Sequence, residues 1–76
     1  MRVRVFLRQA LFTLPGAESH LPTASAVVEG ALVEASGFGL RLHVDAWFDE
    51  KGRKLEGEAR QLLIPTAKVD HVLYLG

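Results

Sequence analysis

The sequence predicts an all-β protein: one small domain over residues 1–76, built as a five-stranded, strongly bent sheet or barrel. Three observations carry this. From Leu40 to Phe48 the chain alternates, with Leu40, Leu42, Val44, Ala46 and Phe48 set against Arg41, His43, Asp45 and Trp47. A period of two belongs to a half-buried strand, because successive side chains leave a strand on opposite faces. Beyond residue 23 the apolar runs are separated by short turns rich in glycine or charge, the spacing of a compact all-β domain. A glycine, Gly30, stands in the middle of the second apolar run, where a curling sheet needs a bulge or sharp bend.

The opening strand is Arg2 to Arg8, with Val3, Val5 and Leu7 alternating with Arg2, Arg4, Phe6 and Arg8. Its polar face is therefore basic with one aromatic. Past Arg8 the phase is lost over Ala10, Leu11, Phe12 and Leu14, so the chain either bends through a bulge or makes a short helical turn near residues 8–14. Residues 14–23 hold two prolines and a glycine and read as a loop. At this length the loop exceeds the usual connection of roughly 4–6 residues and is a candidate functional segment.

The second strand runs from Ala26 to Ala35. Glu29 and Glu34 are five apart and fall on one side only if a bulge or bend at Gly30 resets the phase. Ser36-Gly37-Phe38-Gly39 is a hairpin turn in which two glycines supply positive φ. It precedes a strand, so it is not a phosphate-cradling loop, which must open a helix. After the Leu40–Phe48 strand, residues 49–53 form the next turn.

Residues 54–64 admit two readings. Leu55, Ala59, Leu62 and Leu63 fit a helical face, with Glu56 and Arg60 as an i,i+4 pair. Gly57 opposes helix by about 1 kcal/mol, and Pro65 pushes Ile64 to extended geometry. Strand is preferred, folding back to set Phe48 by Leu55, Ala46 by Gly57, Val44 by Ala59 and Leu40 by Leu63. Gln61 is then the one misfit inside. A short strand ends at Pro65, Thr66 to Lys68 is a tight turn, and the last strand covers Val69 to Leu75.

Composition bounds the function. There are 76 residues, 49% of them apolar, with a mean hydropathy of +0.16. A chain this short buries only roughly 60% of its unfolded surface, so the apolar surplus points to a homo-oligomer. Nine basic residues balance nine acidic ones, which gives no long-range field toward nucleic acid or anionic lipid. Absence of cysteine removes disulfides, thiolate metal sites and cysteine nucleophiles, and fits a cytoplasmic protein. The first eight residues lack the apolar run of a secretory signal, and no stretch approaches the ~18 apolar residues of a membrane span. There is no Asn, and Arg outnumbers Lys six to three, a thermophile-like composition.

The order of features resembles the Sm-like and SH3-like small barrels over residues 26–75. The resemblance is carried by the bent Val28-Glu29-Gly30-Ala31-Leu32-Val33 strand, the glycines Gly37 and Gly39, the long alternating strand, and the close from Leu63 through Ile64-Pro65-Thr66-Ala67-Lys68-Val69 to Val72. It implies a last strand at the barrel edge, where such proteins often pair with a neighbouring subunit to build a ring. The RNA-carrying signatures do not match: Asp45-Ala46-Trp47-Phe48 lacks the Asn, and Pro65-Thr66 stands where Arg-Gly would be. No functional residue is carried over.

Catalytic and metal-binding residues, and cofactors, are not expected. His20, His43 and His71 have no ligand spacing, and Asp45, on the same side as His43, reads as solvation. Glu50, Glu56 and Glu58 read as a solvated face. The residues with a role are expected at surfaces. Trp47 should project outward, covered by a second subunit or by the 14–23 loop, and with Val72 and Tyr74 it makes the expected interface. Arg2, Arg4 and Arg8 with Phe6 between them are the candidate nucleic-acid contact; the other reading of this basic strand pairs it with the acidic Glu29/Glu34 face. The expected function is a non-enzymatic, self-associating interaction or scaffold module, with an Sm-like RNA-binding protein as the alternative.

Overall fold

The computed structural model describes residues 1–12, 22 and 24–76, with Phe12 described by its backbone alone. The predicted loop of residues 14–23, and His20 within it, lie outside the described residues apart from Pro22. The elements are β1 (Arg2–Phe12), β2 (Ala24–Ala35), β3 (Gly39–Phe48), β4 (Lys54–Leu55), β5 (Arg60–Pro65), a 3-10 turn (Thr66–Lys68) and β6 (Val69–Tyr74). All strand pairs are antiparallel. The sheet runs β4-β3-β2-β1-β6, with β5 also on β3, so the sheet bends round without β5 and β6 pairing.

The all-β class holds, with six strands where five were expected. The helical reading of residues 54–64 is replaced by β4 and β5, separated by an irregular stretch at 56–59. That stretch also corrects the expected register. Trp47 pairs with Leu55 and Phe48 with Lys54, whereas Leu40 pairs with Ile64, Leu42 with Leu62 and His43 with Gln61. The predicted pairing lay one residue from each. Ile64 is thereby buried and Leu63 turned out, and Gln61, the apparent misfit, lies exposed beside His43. A one-residue slip swaps every side chain to the other face.

Near residues 8–14 the bulge wins over the helical turn, as far as Phe12. β1 continues through residues 8–12, and its register with β2 shifts between Phe6 and Leu11. The bend around Gly30 exists, but its extra residue lies on β3. Glu29 pairs with Ala46 and Gly30 with Val44, leaving Asp45 unmatched. A second shift leaves Val33 unmatched on β2, and this one returns Glu34 to the outer face.

Asp45 decides the fate of the alternating strand. Before it, Leu42 and Val44 point into the core; after it Trp47 does, and Trp47 is 2% exposed. The expectation that Trp47 projects outward is therefore corrected: one bulged residue reverses the faces beyond it. Trp47 closes an inner row that crosses the whole sheet, Val72–Val5–Val28–Trp47–Leu55. Val3, Val5, Val28, Leu42, Val44, Trp47 and Ile64 make the core.

Two glycines serve close approach. A Cβ on Gly30 would run into the His43 carbonyl, and one on Gly39 into the Ile64 carbonyl. The positive φ expected at Gly37 and Gly39 is absent; among the described glycines it occurs at Gly52 (φ 81°), in the β3–β4 turn, and at Gly76. That turn is held by Asp49, whose Oδ1 accepts the Lys51 and Arg53 backbone N–H groups at 2.9 and 2.8 Å.

Candidate interaction surfaces

Three sets of side chains outside the core merit a functional reading: the basic strand face, the polar residues of β3, and the free sheet edge.

On the outer face the basic residues of β1 are tied to carboxylates. Arg2 donates through Nη1 and Nη2 to the two Asp45 oxygens at 2.8 and 2.9 Å. Arg4 donates through Nε and Nη2 to Glu29 Oε1 at 2.9 and 2.8 Å. Arg8 Nε donates to the Val69 carbonyl at 3.1 Å. Phe6 lies flat against His71, ring centroids 4.2 Å apart and planes 9° from parallel. The four candidate nucleic-acid contacts thus share a face, but Arg2 and Arg4 are engaged within the chain. The reading that pairs this face with acidic residues finds Glu29 as the partner, while Glu34 pairs with Arg41 at 3.6 Å.

The Arg2 guanidinium holds the Asp45 carboxyl below the usual aspartate range. Asp49 is lowered too, first by the Arg53 backbone N–H. A depressed folded-state pKa gives stability that is present above the ordinary aspartate value, near 4, and lost as pH falls through the folded value. Thermal unfolding followed from about pH 7 to about pH 2 should therefore show Tm dropping below about pH 4. Asp45→Asn should lower Tm slightly at neutral pH and flatten that acid limb. An unchanged acid limb in the variant would remove the Arg2–Asp45 pair from the account.

Asp45 is not poised to orient His43, since Arg2 occupies both of its oxygens. His71 Nδ1 lies 2.9 Å from Asp70 Oδ2, both exposed. Glu58 pairs with Arg60. No group of three His, Asp or Glu side chains suited to a metal ion occurs among the described residues. Sequence reasoning missed Ser25, buried at 1%. Its hydroxyl lies 2.9 Å from the Val27 carbonyl and 3.0 Å from that of Phe48, tying the start of β2 to the end of β3. Nothing in the local sequence marked a buried hydroxyl there.

The last strand is different in character. β6 pairs with β1 on one side, and its other edge is open among the described residues. Val72 and Tyr74 lie opposite the buried Val5 and Val3, so they belong to the core-facing side. Yet Val72 is half-buried and Tyr74 65% exposed, because the sheet does not close over them. Leu73 emerges on the opposite face, and Leu75 follows, both exposed. No family model, curated protein or solved structure matches this chain. The surfaces must be read on their own chemistry. Of the three interface residues expected from the sequence, Val72 and Tyr74 lie at this edge, while Trp47 is sealed inside its own chain. No helix among the described residues is long and apolar enough to cross a membrane.

Proposed function

We propose that the domain is a non-enzymatic interaction module of the small-barrel kind, Sm-like or SH3-like, that self-associates through the open edge of β6. The observation that carries this reading is the uncharged run Val72–Leu75 on an edge that is unpaired among the described residues. An open edge offers a row of free N–H and C=O groups, and proteins normally blunt it with charge, proline or a bulge. Here the charge is confined to Asp70 and His71 at the start of the strand. A second copy satisfies the backbone and covers Leu73 and Tyr74 together. β5 supplies a second open edge with an exposed apolar residue, Leu63, so β6 of one copy against β5 of the next builds a head-to-tail assembly that closes as a ring.

Sedimentation velocity over a concentration series tests this. An oligomer is expected at micromolar concentration, and Leu73→Lys with Tyr74→Glu should shift it to monomer while leaving the far-ultraviolet circular dichroism unchanged. A monomer at high micromolar concentration in the unmodified protein would overturn the proposal.

A further inference from the structure

The Phe38 side chain has no part in the core. It is 87% exposed, more than any other large apolar side chain among the described residues, and it does not pack against the buried cluster. Hairpin tips ordinarily carry small or polar residues. The backbone beneath the ring is nevertheless fixed. Phe38 N–H donates to Ser36 Oγ at 3.2 Å, and its carbonyl accepts the Thr66 N–H at 3.1 Å. Thr66 Oγ1 donates to the Gly37 carbonyl at 3.3 Å, and Ser36 N–H donates to that of Gly39 at 3.0 Å. The ring therefore stands on a rigid mount, and little backbone ordering is left to oppose binding. Aromatic side chains are enriched at the buried centres of protein interfaces.

Gly37 keeps this tip slim. It has no positive φ, and a Cβ there would meet nothing within 4 Å, so the fold does not require glycine at this position. A tip that enters a recess does require it, because a side chain beside Phe38 would strike the rim.

A recess of fitting size lies at the other end of the same two strands. Leu7, Ala10, Ala24 and Ala26 give it apolar walls, Arg8, Asp49 and Glu50 give it polar ones, and its volume is about 450 Å³. A cavity of about 150 Å³ takes one benzene-sized ring, so the Phe38 ring fits together with the backbone that carries it. β3 has ten residues at about 3.3 Å each, which sets tip and recess about 30 Å apart along the strand. Phe38 cannot reach the recess of its own chain. The charges at the two ends agree. Arg8 is tied to the Val69 carbonyl and Asp49 to Arg53, whereas Glu50 has no ion pair among the described residues. Lys68, two residues beyond Thr66 on the 3-10 turn beside the tip, has none either. Lys51, next to Glu50, lies outside the recess lining.

We propose that this chain binds a second copy of itself end to end, with Phe38 of one copy seated in the alanine-lined recess of the next and Lys68 facing Glu50. The contact is heterologous, so each copy offers one tip and one recess and the line extends along β2 and β3. It uses neither the β6 nor the β5 edge and so goes beyond the edge-pairing reading above.

The test uses the full chain carrying Leu73→Lys and Tyr74→Glu, which silences the edge contact, in amide NMR and sedimentation equilibrium from micromolar to millimolar concentration. Resonances of Ala24, Ala26 and Phe38 should move together as concentration rises. Phe38→Ser removes the tip and Ala24→Phe fills the recess; each should weaken association roughly tenfold or more. Mixed one to one, these two variants should form a heterodimer and nothing larger, since one intact tip and one intact recess remain. Gly37→Val keeps the ring but thickens the tip, and should weaken association as well, with circular dichroism checking each fold. Association unchanged in Phe38→Ser and Gly37→Val overturns the proposal. An edge-silenced chain that stays monomeric to millimolar concentration also overturns it, and leaves the β6 reading to its own test.

Discussion

Trp47→Ala is expected to leave the chain unfolded at room temperature. Removing a fully buried tryptophan costs about 3–5 kcal/mol, and a domain of this size holds on the order of 5 kcal/mol in total. The ring is the largest side chain of the core, set between Val28 and Leu55 in the inner row. Its Nε1 donates to the Glu58 carbonyl at 3.1 Å, so the indole also fixes the irregular stretch between β4 and β5. Gly57 is packed there so closely that a Cβ would lie 2.6 Å from Pro22 Cδ and 2.9 Å from Trp47 Cδ1. Trp47→Phe retains most of the apolar volume but strands the carbonyl, and should cost about 1–3 kcal/mol. Urea unfolding followed by circular dichroism separates the two variants. A cooperative transition near the unmodified midpoint in Trp47→Ala would sink this account of the core.

Gly30→Ala is expected to be the next most damaging change, at about 3 kcal/mol. The new methyl would meet the backbone carbonyl of His43, with Val44 Cα at 2.8 Å, and a strand backbone cannot rotate away as a side chain can. The crossing of β2 and β3 that bends the sheet would have to open. Gly37→Ala is the internal control. Nothing lies within 4 Å of its added Cβ, and its φ is not positive, so it should be neutral or stabilise by about 0.5 kcal/mol through the unfolded chain. Equal midpoints for the two variants in urea would show that contact at Gly30, as opposed to glycine content, does not shape the sheet.

Strand existence was legible in the sequence wherever an apolar period of two met a turn signal. β2, β3, β5 and β6 lie close to their expected bounds, and Pro65 ends β5 as its missing donor requires. Register was less legible. The expected fold-back placed Gln61 inside, and that misfit was the mark of an error: the residues at 56–59 leave the ladder and return displaced. At the surfaces, the apolar last strand lies at a sheet edge, with Leu73 and Tyr74 exposed. Trp47 did not read correctly, because a single alternating pattern cannot reveal which residue a neighbouring strand leaves unmatched. The outer row Phe6–Val27–Phe48 was not legible either, since these residues are brought together only by pairing across three strands.

By itself, then, the sequence determined the all-β class, the turn positions and the neutral, apolar character of the chain, because these follow from local periodicity and composition. Tertiary structure alone decided which side of β3 is buried beyond Asp45. It also decided that Arg2 and Arg4 are spent on carboxylates, and that Phe6 and Phe48 flank Val27 across three strands. The reason is the same in each case. A strand's faces are set by the hydrogen-bond register of its neighbours, and one bulged residue, invisible in the pattern, exchanges inside for outside along the rest of the strand.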